Sequence, residues 1–199
     1  MLRHIIPSDT RIKILELFFH NPDKTYYLRK VVREVEKEVN AVKRELDILE
    51  EEKVLLKEKR LNKVFYSLNK NYILYEEFLR IFTKTDTLAS LIYQNFTKLG
   101  KIKFIAISFN YAKRKLIKED EVYLFIVGSI VVPEITNIVS EAEKEFGSEI
   151  NYTVMTEDEF VFRKKNNDPF VWRFLKQPKV MLTGSEDEFL KWNFLIDCL

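Results

Sequence analysis

Tyr27-Leu28-Arg29-Lys30-Val31-Val32-Arg33-Glu34-Val35 opens the stretch, residues 24–70, on which the fold turns. Its apolar residues Leu28, Val31, Val32 and Val35 recur at helical spacing. Glu36-Lys37-Glu38 breaks the pattern. A second helix is expected over Val39-Asn40-Ala41-Val42-Lys43-Arg44-Glu45-Leu46-Asp47-Ile48-Leu49. There Val39, Val42, Leu46 and Leu49 form the inner stripe, and Asn40, Lys43, Arg44 and Asp47 are left on the outer face. Residues 53–59 and 63–69 then read as two strands, carrying the β-formers Val54-Leu55-Leu56 and Val64-Phe65-Tyr66-Ser67-Leu68. Arg60-Leu61-Asn62 joins them tightly.

A helix pair followed by a basic hairpin is the geometry that sets one helix in a DNA groove and a wing beside it. The stretch therefore predicts a winged helix-turn-helix and a sequence-specific DNA binder. Arg44 has the fork of donors that matches guanine O6 and N7, and Lys43 can reach bases or phosphates. Asn40 either pairs with adenine or caps the helix, a place where asparagine is preferred. Lys57, Lys59, Arg60 and Lys63 would lie along the wing and neutralise phosphates without reading sequence. The plainer readings are an ion pair of Arg44 with Glu34 or Glu45, and a solvated charged face for the set.

On the N-terminal side, Pro7-Ser8-Asp9 precedes Ile12, Leu15, Phe18 and Phe19. This predicts a helix capped by Ser8 or Asp9 and stopped by Asn21-Pro22-Asp23. Beyond the hairpin, residues 72–83 and 86–98 are helical in pattern. Two apolar helices behind a small DNA-binding unit supply a dimer interface or cover its core. One winged helix contacts few base pairs, so a homodimer on paired half-sites is expected. The organisation expected is a winged helix over 1–83, a linking helix over 84–100 and a second domain over 101–199. In that domain 102–108, 122–127, 150–155 and 180–182 read as strands. Residues 133–146, 157–164 and 169–175 read as helices, and Ser185 caps a last one containing Phe189, Leu190, Phe194 and Leu195. The class is α+β, the second domain being a small α/β unit with helices on a sheet.

Charge is unevenly placed. Residues 1–98 carry 19 Lys and Arg against 15 Asp and Glu, whereas residues 99–199 carry 14 against 16. Within the hairpin the four cations face Glu58 alone, which suits an edge that contacts phosphate. A hydrophobic content of 46% is ample for packed cores and excludes bulk disorder. The single cysteine, Cys198, permits no intrachain disulfide. No run reaches the length of a membrane span and no signal-peptide pattern is present, so a cytoplasmic protein without membrane contact is expected.

The run Tyr27-Leu28-Arg29, Asn40 through Glu50, Val54-Leu55 and Phe65 through Lys70 resembles the winged-helix domain of ArsR-like transcriptional regulators. The resemblance covers about the first 83 residues. It implies a dimeric fold on double-stranded DNA that represses or activates promoters. Metal-sensing members of that family use cysteine or histidine clusters. Here the first domain has His4 and His20 and no cysteine, so no metal site is carried over.

The second half is similar to small nucleotidyltransferase domains through Tyr111-Ala112-Lys113, Phe125-Ile126-Val127-Gly128 and Glu149-Ile150-Asn151-Tyr152. Those enzymes hold triphosphate on a Gly-Ser turn and divalent metal on paired carboxylates, which phosphoryl transfer requires. This chain has Phe109-Asn110 at the turn, Glu121-Val122-Tyr123 at the pair and Asn151 where a third acid belongs. No catalytic residues and no cofactor are therefore expected. What remains is a degenerate nucleotidyltransferase-like scaffold for ligand sensing, partner binding or dimer support. Lys113, Arg114, Lys115 and Lys118 either attract a nucleotide phosphate or form a solvated loop. Phe170, Trp172 and Phe174 either stack on a ligand or pack a core. The alternatives are a residual nucleotidyltransferase targeted by its winged helix, or an antitoxin-like protein-interaction module.

Overall fold

A computed structural model of the chain describes residues 5–191 and is mixed α+β. The chain divides into two compact units, Met1–Thr83 and Lys84–Leu199.

In the first unit the order is α1 (Asp9–Phe19), β1 (Thr25–Tyr27), α2 (Leu28–Val35), α3 (Val39–Glu51), β2 (Leu55–Arg60), β3 (Lys63–Leu68) and α4 (Tyr75–Thr83). Of the two caps expected for α1, Ser8 serves: its Oγ accepts from the Arg11 amide at 3.2 Å. Glu36 ends α2 in the left-handed region at φ 53°, which turns the chain into α3. The three strands form an antiparallel sheet in the order β1-β3-β2. Strand β1 has no counterpart in the sequence pattern. Tyr27, placed there at the start of a helix, is extended and pairs with Phe65. The core joins Phe18, Phe19, Val31, Val35, Val42, Leu46, Leu55, Tyr66, Leu79 and Phe82. Phe19 stacks on Phe82 at 5.0 Å, which seats α4 on α1. Val39, expected in the inner stripe of α3, is 43% exposed because it lies in the first turn, before the helix meets its neighbours.

The second unit contains α5 (Thr87–Gln94), a 3-10 turn (Phe96–Lys98), β4 (Gly100–Ser108), α6 (Phe109–Ala112), β5 (Leu124–Ile130), α7 (Val132–Phe146), β6 (Tyr152–Met155), α8 (Glu157–Lys165), α9 (Pro169–Lys176), β7 (Lys179–Thr183) and α10 (Glu186–Lys191). The segment 84–100, expected as a separate linking helix, belongs to this unit: α5 packs against α7 and buries Leu88, Ala89 and Ile92. The sheet order is β6-β5-β4-β7, with β5 and β6 parallel and the other pairs antiparallel. One face carries Phe104, Ala106, Phe125 and Val127 under Phe160, Phe174 and Phe189. The alternating residues Ile105, Ile107 and Ile126 are buried too, so both faces are covered. That explains why the central strands read as continuous apolar runs.

The β4–β5 pairing shifts register between Ile102 and Phe104. Gly128 sits at this bulge with φ 151°, and a Cβ there would lie 2.2 Å from the Lys101 carbonyl oxygen. Phe174 lies inside the aromatic cluster, and Phe170 and Trp172, partly buried, pack against it. No helix among the described residues is long and apolar enough to cross a membrane. His4, Phe194, Leu195 and Cys198 lie outside the described residues.

Candidate nucleic-acid interface

Glu38 caps α3: its carboxylate accepts from the Ala41 amide at 2.9 Å, and the amides of Asn40 and Ala41 hold its carboxyl below the usual range. Asn40 is therefore not the cap. It lies in the first turn with its side chain exposed, because the helix begins one residue before it. Asn40, Lys43, Arg44 and Asp47 follow at helical spacing on the outward face. Arg44 is exposed, and Glu45, its possible partner, is occupied elsewhere. Glu45 is 5% exposed and accepts from Ser8 Oγ at 2.6 Å and from Arg11 Nε at 2.8 Å. Burial alone would raise its carboxyl, but Ser8 and Arg11 hold it below the usual value.

Lys43 does not project freely. Its Nζ is hydrogen-bonded to both carboxylate oxygens of Asp47, one turn further along. That bond raises the Lys43 ammonium and lowers the Asp47 carboxyl from their ordinary values. Lys57 Nζ, from β2, stands 3.6 Å from the same carboxylate. Asp47 thus bridges the helix to the hairpin. Its spacing to Lys43 was legible in the sequence, whereas its approach to Lys57 was not.

Strand alternation divides the four hairpin cations between two faces. Lys57 pairs with Tyr66 and Lys59 with Val64, so these two lysines share the face of the buried Tyr26 and Tyr66 and continue the surface of α3. Glu58 pairs with Phe65 and Arg60 with Lys63 on the other face. There Arg60 is bonded to Glu58 at 2.7 Å and lies 5.4 Å over the Phe65 ring. Lys63 lies 4.8 Å over Tyr27, whose hydroxyl accepts from Arg33 at 3.4 Å. The expected row of four cations is two pairs back to back, flanking the Leu61-Asn62 turn.

In the second unit the residues that the resemblance would set at a metal site are engaged with other groups of the chain. Asp120 is bonded to Arg173, and Glu121 accepts from the Lys118 amide at 3.3 Å. Tyr123 is buried and its hydroxyl donates to the Lys115 carbonyl at 2.9 Å. Phe109 is buried at the start of α6. Among the described residues no group of three or more histidine, cysteine, aspartate or glutamate side chains is placed to hold a metal. Of the four cations singled out there, Lys115 and Lys118 are exposed. Lys113 lies 5.2 Å over Phe109, and Arg114 lies 4.2 Å over Phe146. An open groove of about 480 Å³ beside Glu121 is lined by Glu119, Glu143, Glu149, Asn151 and Tyr152. Its acidic wall repels a phosphate.

No protein-family model, curated protein or solved structure matches the chain.

Proposed function

We propose that the first unit is a winged helix-turn-helix and that the protein is a DNA-binding transcriptional regulator. The observation that carries this is the continuity of one surface. Asn40, Lys43 and Arg44 on α3 adjoin Lys57 and Lys59 on β2, and the Asp47–Lys57 approach joins the two elements. In this reading α3 enters the major groove, Arg44 and Asn40 meet base edges, and Lys43, Lys57 and Lys59 contact the backbone, with Arg60 and Lys63 turned to the other face of the hairpin. The second unit serves as a nucleotidyltransferase-like scaffold without its chemistry. Its acidic groove favours a protein partner over a nucleotide there. The regulator works as a homodimer in the cytoplasm, doubling its half-sites for specificity.

The test is selection from a pool of genomic fragments by the full chain, with the Lys43→Ala/Arg44→Ala double variant alongside. A recurring sequence that the double variant fails to enrich is the expected result. Weak binding with no enriched sequence, equal in both proteins, would end the proposal.

A further inference from the structure

The geometry points to Asp47 as the residue that limits binding to the wrong DNA sequence, an inference that rests on the DNA-binding reading above. A carboxylate in the middle of a phosphate-facing surface is electrostatically misplaced. Stability does not account for it: the side chains of Asp47 and Lys43 are each 44% exposed and that of Lys57 is 36% exposed. Ion pairs that wet contribute little.

What the carboxylate does is occupy two cations at once. Lys43 gives its ammonium to both oxygens of Asp47, and Lys57 faces Oδ1 from the neighbouring strand. Any phosphate that recruits either lysine must take it from Asp47 and then stand beside an uncovered negative charge. Every base pair carries one exocyclic amino group in the major groove, on adenine or cytosine, and in most registers mixed-sequence DNA does not set it against Asp47. A site that places this group against Asp47 offsets the loss, because the group donates to the carboxylate and leaves the lysines for the backbone. Asp47 thus weakens binding everywhere and recovers the loss on a sequence with an amino group at that position. Selectivity gained in this way comes from an unpaired charge set against the wrong partner. Among the described residues no carboxylate is bonded to Arg44 or Lys59, so both keep their reach for either kind of DNA.

The experiment is a titration of a short mixed-sequence duplex into the full chain over a series of salt concentrations, for the wild type, Asp47→Asn and Asp47→Asn/Lys57→Gln. Asparagine keeps the size and removes the charge, and unfolding curves establish that each variant is folded. Asp47→Asn is expected to bind about ten-fold tighter at low salt, with a salt slope steeper by about one to two phosphate equivalents. The double variant is expected to lose part of that gain. If the wild type binds with a clear salt dependence and Asp47→Asn binds equally or more weakly, the role of Asp47 is overturned and DNA binding stands. If neither protein binds the duplex at any salt concentration, both proposals fall.

Discussion

Ser8 Oγ donates to Glu45 Oε1 at 2.6 Å, tying the N-cap of α1 to the buried side of α3 across 37 positions. Arg11 Nε reaches the other oxygen at 2.8 Å, so one carboxylate fixes the helix that carries Lys43 and Arg44. Glu45→Ala leaves both donors without their acceptor and is expected to destabilise the first unit by about 2 kcal/mol, since Arg11 is partly solvated. The folded carboxyl lies below its ordinary value. Its contribution is therefore full above the unfolded pKa and lost as pH falls through the folded one. Urea unfolding at neutral and at acidic pH checks this: Glu45→Gln should be weaker at neutral pH and nearly equal to the wild type in acid.

The division of hairpin cations makes a second prediction. Lys59 shares a strand face with Lys57 and Tyr66, whereas Lys63 lies over Tyr27 on the opposite face. On the proposed DNA-binding reading, Lys59→Ala should flatten the slope of salt titrations with duplex DNA by about one phosphate equivalent, and Lys63→Ala by less. The reverse order would move the contact surface to the Tyr27–Phe65 side.

Asp86 predicts a pH dependence in the second unit. It caps α5 by accepting from the Ala89 amide at 2.9 Å and is 4% exposed. Burial pushes its carboxyl up to about 6, against the bonds from Ala89 and Tyr111 and the charge of Arg114; Glu145 adds to the rise. A raised carboxyl favours the folded state fully below the unfolded pKa and loses that contribution as pH rises through the folded pKa. From the ordinary 3.8 to about 6 the difference is on the order of 3 kcal/mol. Thermal unfolding of Asp86→Asn, which keeps the cap and cannot ionise, should show a flatter dependence between pH 4 and 6 and higher stability than the wild type at alkaline pH. A wild-type curve that rises with pH across that window would refute the assignment.

Gly128 offers a test of the β4–β5 bulge. With φ 151° and backbone oxygen 2.2 Å from where a Cβ would stand, Gly128→Ala must both strain the chain and push the strands apart. A loss of at least about 2 kcal/mol is expected in denaturant unfolding. Gly147, with φ 81° and open space around it, should lose less on the same change.

Much of the architecture was legible because local pattern and global packing agree. The spacing of Ile12, Leu15, Phe18 and Phe19 matches the buried side of α1, and the runs over 102–108 and 122–127 match strands covered on both faces. Strand β1 was hidden because three residues carry no period, and it exists through pairing with β3. Asn40 was open to two roles since both need a polar residue at a helix start. The backbone chose Glu38 as the cap by starting the helix earlier. Placing 84–100 as a link followed from the first glycine at position 100, while the packing of α5 on α7 joins that segment to the second unit.

The amino-acid sequence by itself determined most of the elements, though not β1, together with the α+β class and the cationic character of the α3–hairpin region. These depend on side-chain identity and on periods of two and 3.6, which are local properties. The tertiary structure alone decided which charges act together. Strand pairing sent Lys57 and Lys59 to one face and Arg60 and Lys63 to the other. Packing of β2 beside α3 brought Lys57 to the carboxylate that already holds Lys43. Coulomb energy depends on separation in space, and separation along the chain does not reveal it.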